Sequence, residues 1–132
     1  MEIVLKTSRE LSQLEWESYV FGFNEVFKKV ETIENFKHKY LNTIDNHSYH
    51  ALLTNSNEVV GSCTVMPYHY IIGETTERIG LVVDVFICED FRIDLMGLYR
   101  MYKELKKELI NQGIILVIAV PNDVSYPYWK NI

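Results

Sequence analysis

Between Arg78 and Val120 the hydrophobic pattern changes period twice, and few folds accommodate both changes. Arg78 to Cys88 (RIGLVVDVFIC) is an apolar run of strand length. A polar turn with one arginine follows. Then Leu95, Leu98, Tyr102, Leu105 and Leu109 recur at helical spacing, while Lys103, Lys106, Lys107 and Glu108 lie mostly off that stripe. Gly113 suits the left-handed residue that closes a helix. Ile114 to Val120 is seven consecutive apolar residues. That pattern predicts a central strand covered on both faces and parallel to the strand before the helix. The unit reads as strand–helix–strand with a right-handed crossover. A strand, a turn and a helix start are also the parts from which sites for phosphate-bearing ligands are built.

Upstream, residues 2 to 6 alternate weakly and predict a short first strand. Thr7 with Glu10 and Ser12 with Glu15 form two overlapping capping-box patterns. Trp16, Tyr19, Val20, Phe23, Phe27 and Val30 then fall on one helical face, with Gly22 marking a kink or a close approach. Ile33 to Leu41 predicts a second helix with Ile33, Phe36, Tyr40 and Leu41 inward. Tyr49 to Thr54 and Val59 to Met66 predict an antiparallel pair around the turn Asn55-Ser56-Asn57. Pro67 is expected to end regular pairing or to confine Tyr68 to Ile72 to an edge beyond a bulge. Gly73 to Glu77 forms the next hairpin tip. Pro121-Asn122-Asp123 ends the apolar strand, and Val124 to Ile132 starts a last helix interrupted by Pro127.

With 132 residues, 48% of them hydrophobic, the chain is one domain with room for a real core. A net charge of −5 argues against nonspecific nucleic-acid binding, which needs basic patches. Cys63 and Cys88 lack CxxC spacing and are expected as reduced, buried thiols, which suits a cytoplasmic protein. Neither has a basic sequence neighbour to activate it as a nucleophile. The four histidines and two cysteines show no metal-ligand spacing, so no metal is expected. No apolar run reaches the ~18 residues of a membrane span, and MEIVLKTSRE is too short and too charged for a signal peptide.

The order of elements, with LVVDVFICEDFR, the helix after it, IILVIAV and PNDVSYPYWKN, resembles the GNAT superfamily of acyl-CoA N-acyltransferases across nearly the whole chain. The resemblance implies an α/β (α+β) fold: a mixed, mainly antiparallel twisted sheet flanked by helices, in the order β-α-α-β-β-β-α-β-α. It also implies a single domain over residues 1–132 without the family's usual final hairpin. The strand Ile114 to Val120 would then have an uncovered edge, so a homodimer is expected.

The resemblance further implies acetyl-CoA as co-substrate and an amine acceptor of unknown identity. The family's pyrophosphate loop would be Arg92, Ile93, Asp94, Leu95, Met96 and Gly97, with anion-binding backbone at the helix start. Arg92 and Gly97 fit the pattern, but Leu95 stands where the family's first glycine belongs and Asp94 adds a negative charge beside the anion. Backbone groups of Phe86, Ile87 and Cys88 would bind the pantetheine arm, and Asn122 would contact the cofactor. Tyr128, or Tyr126, would protonate the leaving thiolate. Asp84 would be the general base, with Glu89 and His69 as other options. Beside these roles stand plainer ones. Asp84 reads first as a paired structural aspartate, since an unpaired buried carboxylate is costly. His50 and His69 read as hydrogen-bonded strand histidines, and Arg92 as a solvated helix-start residue. The rival to the enzyme is a non-catalytic relative that keeps the fold as a binding or dimerisation module.

Overall fold

The computed structural model describes residues 1–92, 96–121 and 129–130. Strand β1 (Glu2–Thr7) leads through a short 3-10 turn (Ser8–Glu10) into helices α1 (Gln13–Phe27) and α2 (Ile33–Leu41). Strands β2 (Tyr49–Asn55), β3 (Glu58–Ile72) and β4 (Thr75–Ile87) follow, then a 3-10 turn (Glu89–Phe91), helix α3 (Gly97–Asn111) and strand β5 (Leu116–Ile118). The sheet order is β1-β2-β3-β4-β5, antiparallel throughout except for the parallel pair β4 and β5. This is the mixed, mainly antiparallel sheet that the resemblance implies.

Local chemistry starts the helices where the sequence places them. Ser12 caps α1: Glu15 N–H donates to Ser12 Oγ at 3.1 Å, and Ser12 N–H donates back to the Glu15 carboxylate at 2.8 Å. Thr7 and Glu10 form the second box, though it opens only the 3-10 turn. Between β2 and β3, Ser56 and Asn57 both take positive φ (51° and 68°), which twists a two-residue loop the way flanking strands require.

The two faces of the sheet bury separate clusters. On one face Leu98, Met101, Leu105 and Leu109 of α3 cover Ala51, Leu53, Cys63, Val65 and Val82. On the other, Trp16, Tyr19, Phe23, Phe36 and Tyr40 of α1 and α2 cover Leu52, Met66 and Phe86. Each fully buried leucine or methionine contributes roughly 1.5–3 kcal/mol, so α3 is held mainly by its apolar stripe. Arg78 sets where β5 begins. Its guanidinium bonds both oxygens of Asp45 at 2.6 and 2.8 Å and the Gln112 carbonyl at 3.0 Å. Its own carbonyl accepts Ile115 N–H at 3.1 Å.

One sequence expectation is corrected here. Ile114 to Val120 is not a central strand covered on both faces. Only Leu116–Ile118 enter the ladder, pairing with Ile79, Gly80 and Leu81 of β4. Ile114 is buried, but Ile115 and Val120 are 63% and 83% exposed. Apolar composition cannot tell an edge strand from a central one. Of the two outcomes expected at Pro67 the structure takes the edge: β3 runs through it, with Pro67 opposite Gly80 and no bulge at that point. The missing N–H is tolerated because β2 ends its pairing at Val65, so β3 beyond it is an edge on that side. Among the described residues, no helix is long and apolar enough to cross a membrane.

Candidate active site

Asp84 breaks the regularity of β4. Val83 pairs with Thr64 and Phe86 with Ser62, so Asp84 and Val85 together face the single residue Cys63. Two residues opposite one is a β-bulge, which bends the strand and re-aims its side chains. Asp84 takes the left-handed conformation (φ 53°), tolerable for aspartate but strained for a larger side chain.

The bulge lies where the sheet opens. β5 leaves β4 after Leu81, while β4 continues to Ile87. Between the diverging strands lies a cleft of about 550 Å³. Leu81 to Val85 line one wall; Ala119, Val120 and Pro121 line the other; Phe23, Phe27 and Lys39 reach it from α1 and α2, Lys29 from the connection between them, and Trp129 also lines it. Trp129 packs edge-on against Tyr102 of α3 at 5.6 Å between centroids.

The Asp84 carboxylate is mostly buried, its side chain 14% exposed, and it is paired. Lys39 Nζ lies 2.7 Å from Oδ2, and the Tyr40 hydroxyl donates a short bond to the same oxygen. Oδ1 takes no hydrogen bond among the described residues. An acceptor-only group in a cleft, clamped through one oxygen, can receive a proton on the other. Burial pushes the Tyr40 and Tyr19 hydroxyls above the ordinary phenol range, helped by the nearby Asp84 charge. Tyr40 therefore acts as a neutral donor.

The remaining predicted residues fall as follows. Phe86 is buried beneath α1, 5.4 Å from the Tyr19 ring and edge-on to it. Cys88 N–H donates to the Val60 carbonyl at 2.8 Å, so that amide is engaged on the β3 side. Antiparallel ladders alternate direction, which turns the Ile87 backbone to the open edge. There its carbonyl accepts Arg92 Nε at 2.7 Å. Met96 precedes the first turn of α3, and Gly97 sits so close to β4 that a Cβ would lie 2.8 Å from Ile87 Cδ1. Ile93, Asp94, Leu95, Asn122, Tyr126 and Tyr128 lie outside the described residues. His69 is exposed on the hairpin arm opposite Arg78, some 20 Å along the strand from Asp84. Glu89 is exposed in the turn after β4. Burial raises the Cys88 thiol above its ordinary range and pushes Cys63 up to about 12, so neither is poised as a thiolate.

Sequence reasoning missed Lys39 as the partner of Asp84. It also read Tyr19 and Tyr40 as plain core aromatics. The available signal was a hydroxyl-bearing ring at an inward position, which must find a partner when buried.

No protein-family profile matches the chain, and no curated protein matches its sequence. Solved structures do. An acetyltransferase from Trypanosoma brucei aligns with a TM-score of 0.71 at 14% identity, over 98% of this chain and 90% of its own. A protein described as a predicted acetyltransferase from Clostridium acetobutylicum, solved with acetyl-CoA, aligns at 0.72 and 11% identity, over 98% and 88%. An aminoglycoside acetyltransferase from an uncultured soil metagenomic sample, in complex with sisomicin, aligns at 0.67 and 15% identity, over 98% and 84%. The fold is that of the GNAT acyl-CoA N-acyltransferases. At these identities the likeness establishes the GNAT fold, and activity has to be argued from this chain's own residues.

Proposed function

We propose that this protein is an acyl-CoA-dependent N-acyltransferase that moves an acyl group, acetyl in the simplest case, onto a primary amine. The observation that carries this reading is the bulged, splayed junction of β4 and β5. It opens a cleft beside unpaired strand backbone and puts a clamped carboxylate in the wall. Acyl-CoA supplies an activated thioester, and the chain supplies placement and proton handling. The Ile87 backbone faces the gap as a strand-like partner for the pantetheine arm, flanked by Phe86 and Cys88. Arg92 and the start of α3 at Met96 and Gly97 favour the pyrophosphate, because a helix start carries the positive end of the helix dipole. Ile93, Asp94, Leu95 and Asn122 complete that assignment by resemblance. Asp84 Oδ1 takes the proton lost by the attacking nitrogen as the C–N bond forms and the C–S bond breaks. The departing thiolate takes a proton from Tyr128. The same reading includes a cytoplasmic protein and a homodimer built on the β5 edge.

One observation favours a second reading, a GNAT-fold module that binds without catalysis. Arg92 already bonds the Ile87 carbonyl, a group the pantetheine arm would use. Calorimetric titration with acetyl-CoA separates the two. The enzyme reading expects saturable binding that Arg92→Ala weakens several-fold, an effect that shrinks as salt screens the charge. If folded protein at high micromolar concentration takes up no acetyl-CoA, the enzyme reading fails.

A further inference from the structure

A chain of hydrogen bonds runs from Asp84 beneath α1 and α2 to Ser8 in the turn after β1. Tyr40 donates to Asp84. Tyr40 and Tyr19 hydroxyls are 2.8 Å apart, Tyr19 and Thr64 3.0 Å, Thr64 Oγ1 and His50 Nδ1 2.8 Å, and His50 Nε2 and Ser8 Oγ 2.7 Å. Tyr19, Tyr40, His50 and Thr64 are completely buried. Ser62 Oγ, 3.3 Å from Thr64, is a side branch.

The direction of every bond follows from its end. An ionised carboxylate only accepts, so Tyr40 gives Asp84 its one proton and must itself accept from Tyr19. Tyr19 then accepts from Thr64, and Thr64 from His50 Nδ1. Burial pushes the imidazole down to about 3, so the ring is neutral and carries one N–H. With that proton on Nδ1, Nε2 accepts from Ser8. Only when that chain is cut can Thr64 turn its proton to Nδ1 and the ring carry Nε2–H instead. Ser8 can donate to the Ser48 carbonyl at 3.3 Å and accept from His50 Nε2–H.

We propose that His50 is a positioning residue for Asp84: its Nδ1–H tautomer heads a one-way chain that holds the Tyr40 hydroxyl on Oδ2 and leaves Oδ1 for the amine. The ring's tautomer and the carboxylate's charge are then coupled across the core. This rests on the reading of Asp84 as the proton acceptor, but its test uses no acyl-CoA.

Long-range proton–nitrogen NMR of the histidine rings reads the tautomer directly, with His50 assigned by the signal lost in His50→Gln. At pH 7 the protein is expected to show protonated Nδ1 and bare Nε2. Tyr40→Phe, three hydrogen bonds from the ring, cuts the chain. Asp84→Gly, which suits the left-handed backbone, removes its terminus. Each is expected to shift the tautomer ratio toward Nε2–H by roughly tenfold, about one hydrogen bond's net worth. A purely local packing role for His50 predicts no change from either substitution. Protonated Nε2 in the unaltered protein overturns the proposal, and so does an unchanged tautomer in a folded variant. Failure to bind acetyl-CoA would instead count against the enzyme reading while leaving the coupling intact.

Discussion

His50 is a neutral imidazole sealed under two helices, and that has a measurable consequence at the scale of one residue. Its pKa falls from 6.5 to about 3 on folding because burial penalises the charged form. Above pH 6.5 the ring is neutral in both states and costs nothing. Below it the unfolded chain takes up a proton that the folded chain refuses, so stability falls as pH drops toward 3. The slope is about 1.4 kcal/mol per pH unit, or about 2 kcal/mol between pH 6.5 and 5. Glu15 and Asp45, held low by Lys6 and Arg78, lose their contributions only below their unfolded values of 4.5 and 3.8. Urea unfolding at pH 7 and 5 is therefore expected to show a drop of that size, largely abolished in His50→Gln. An unchanged midpoint would contradict the burial. The chain displays His50 between Tyr49 and Ala51, which suggests a hydrogen-bonded strand histidine but not its partners. Thr64, Tyr19 and Ser8 come from three other elements, and only folding brings them together.

At the scale of elements, helix α1 is placed by its contact with the end of β4. A Cβ on Gly22 would lie 2.9 Å from both Cys88 Sγ and Phe86 Cε2. The sequence marks Gly22 as a kink or a close approach, and the structure selects the close approach. Gly22→Ala gains up to about 1 kcal/mol of helix propensity. Overpacking against Phe86 costs about 1–3 kcal/mol, so we expect net destabilisation, read as a lower urea midpoint. A rise would mean that α1 stands off β4 in solution. The helix start at Ser12 and the hairpin at Ser56-Asn57 were legible because each depends on neighbours a few residues apart. The bulge at Asp84 was not, since a bulge is a mismatch between two strands and no single strand encodes it.

At the scale of the whole molecule, Leu116 of β5 and its flanking residues Ile115 and Val120 are exposed to solvent, with Ile110 of α3 exposed nearby in sequence. No strand pairs its outer edge among the described residues. Unpaired backbone and apolar side chains together make an association surface. Sedimentation velocity is expected to show a dimer that Ile115→Lys shifts toward monomer. A monodisperse monomer of the unaltered protein would refute the proposed homodimer. What the sequence by itself determined was the order and type of the elements. Periodicity, caps and turn residues are local, and the strand–helix–strand unit left few topologies open. What only the tertiary structure decided was the chemistry around Asp84. The parting of β4 from β5, the Lys39 and Tyr40 clamp and the chain to His50 all join residues far apart in sequence. Their geometry comes from how the sheet twists between two helical layers, a property that no stretch of the chain carries alone.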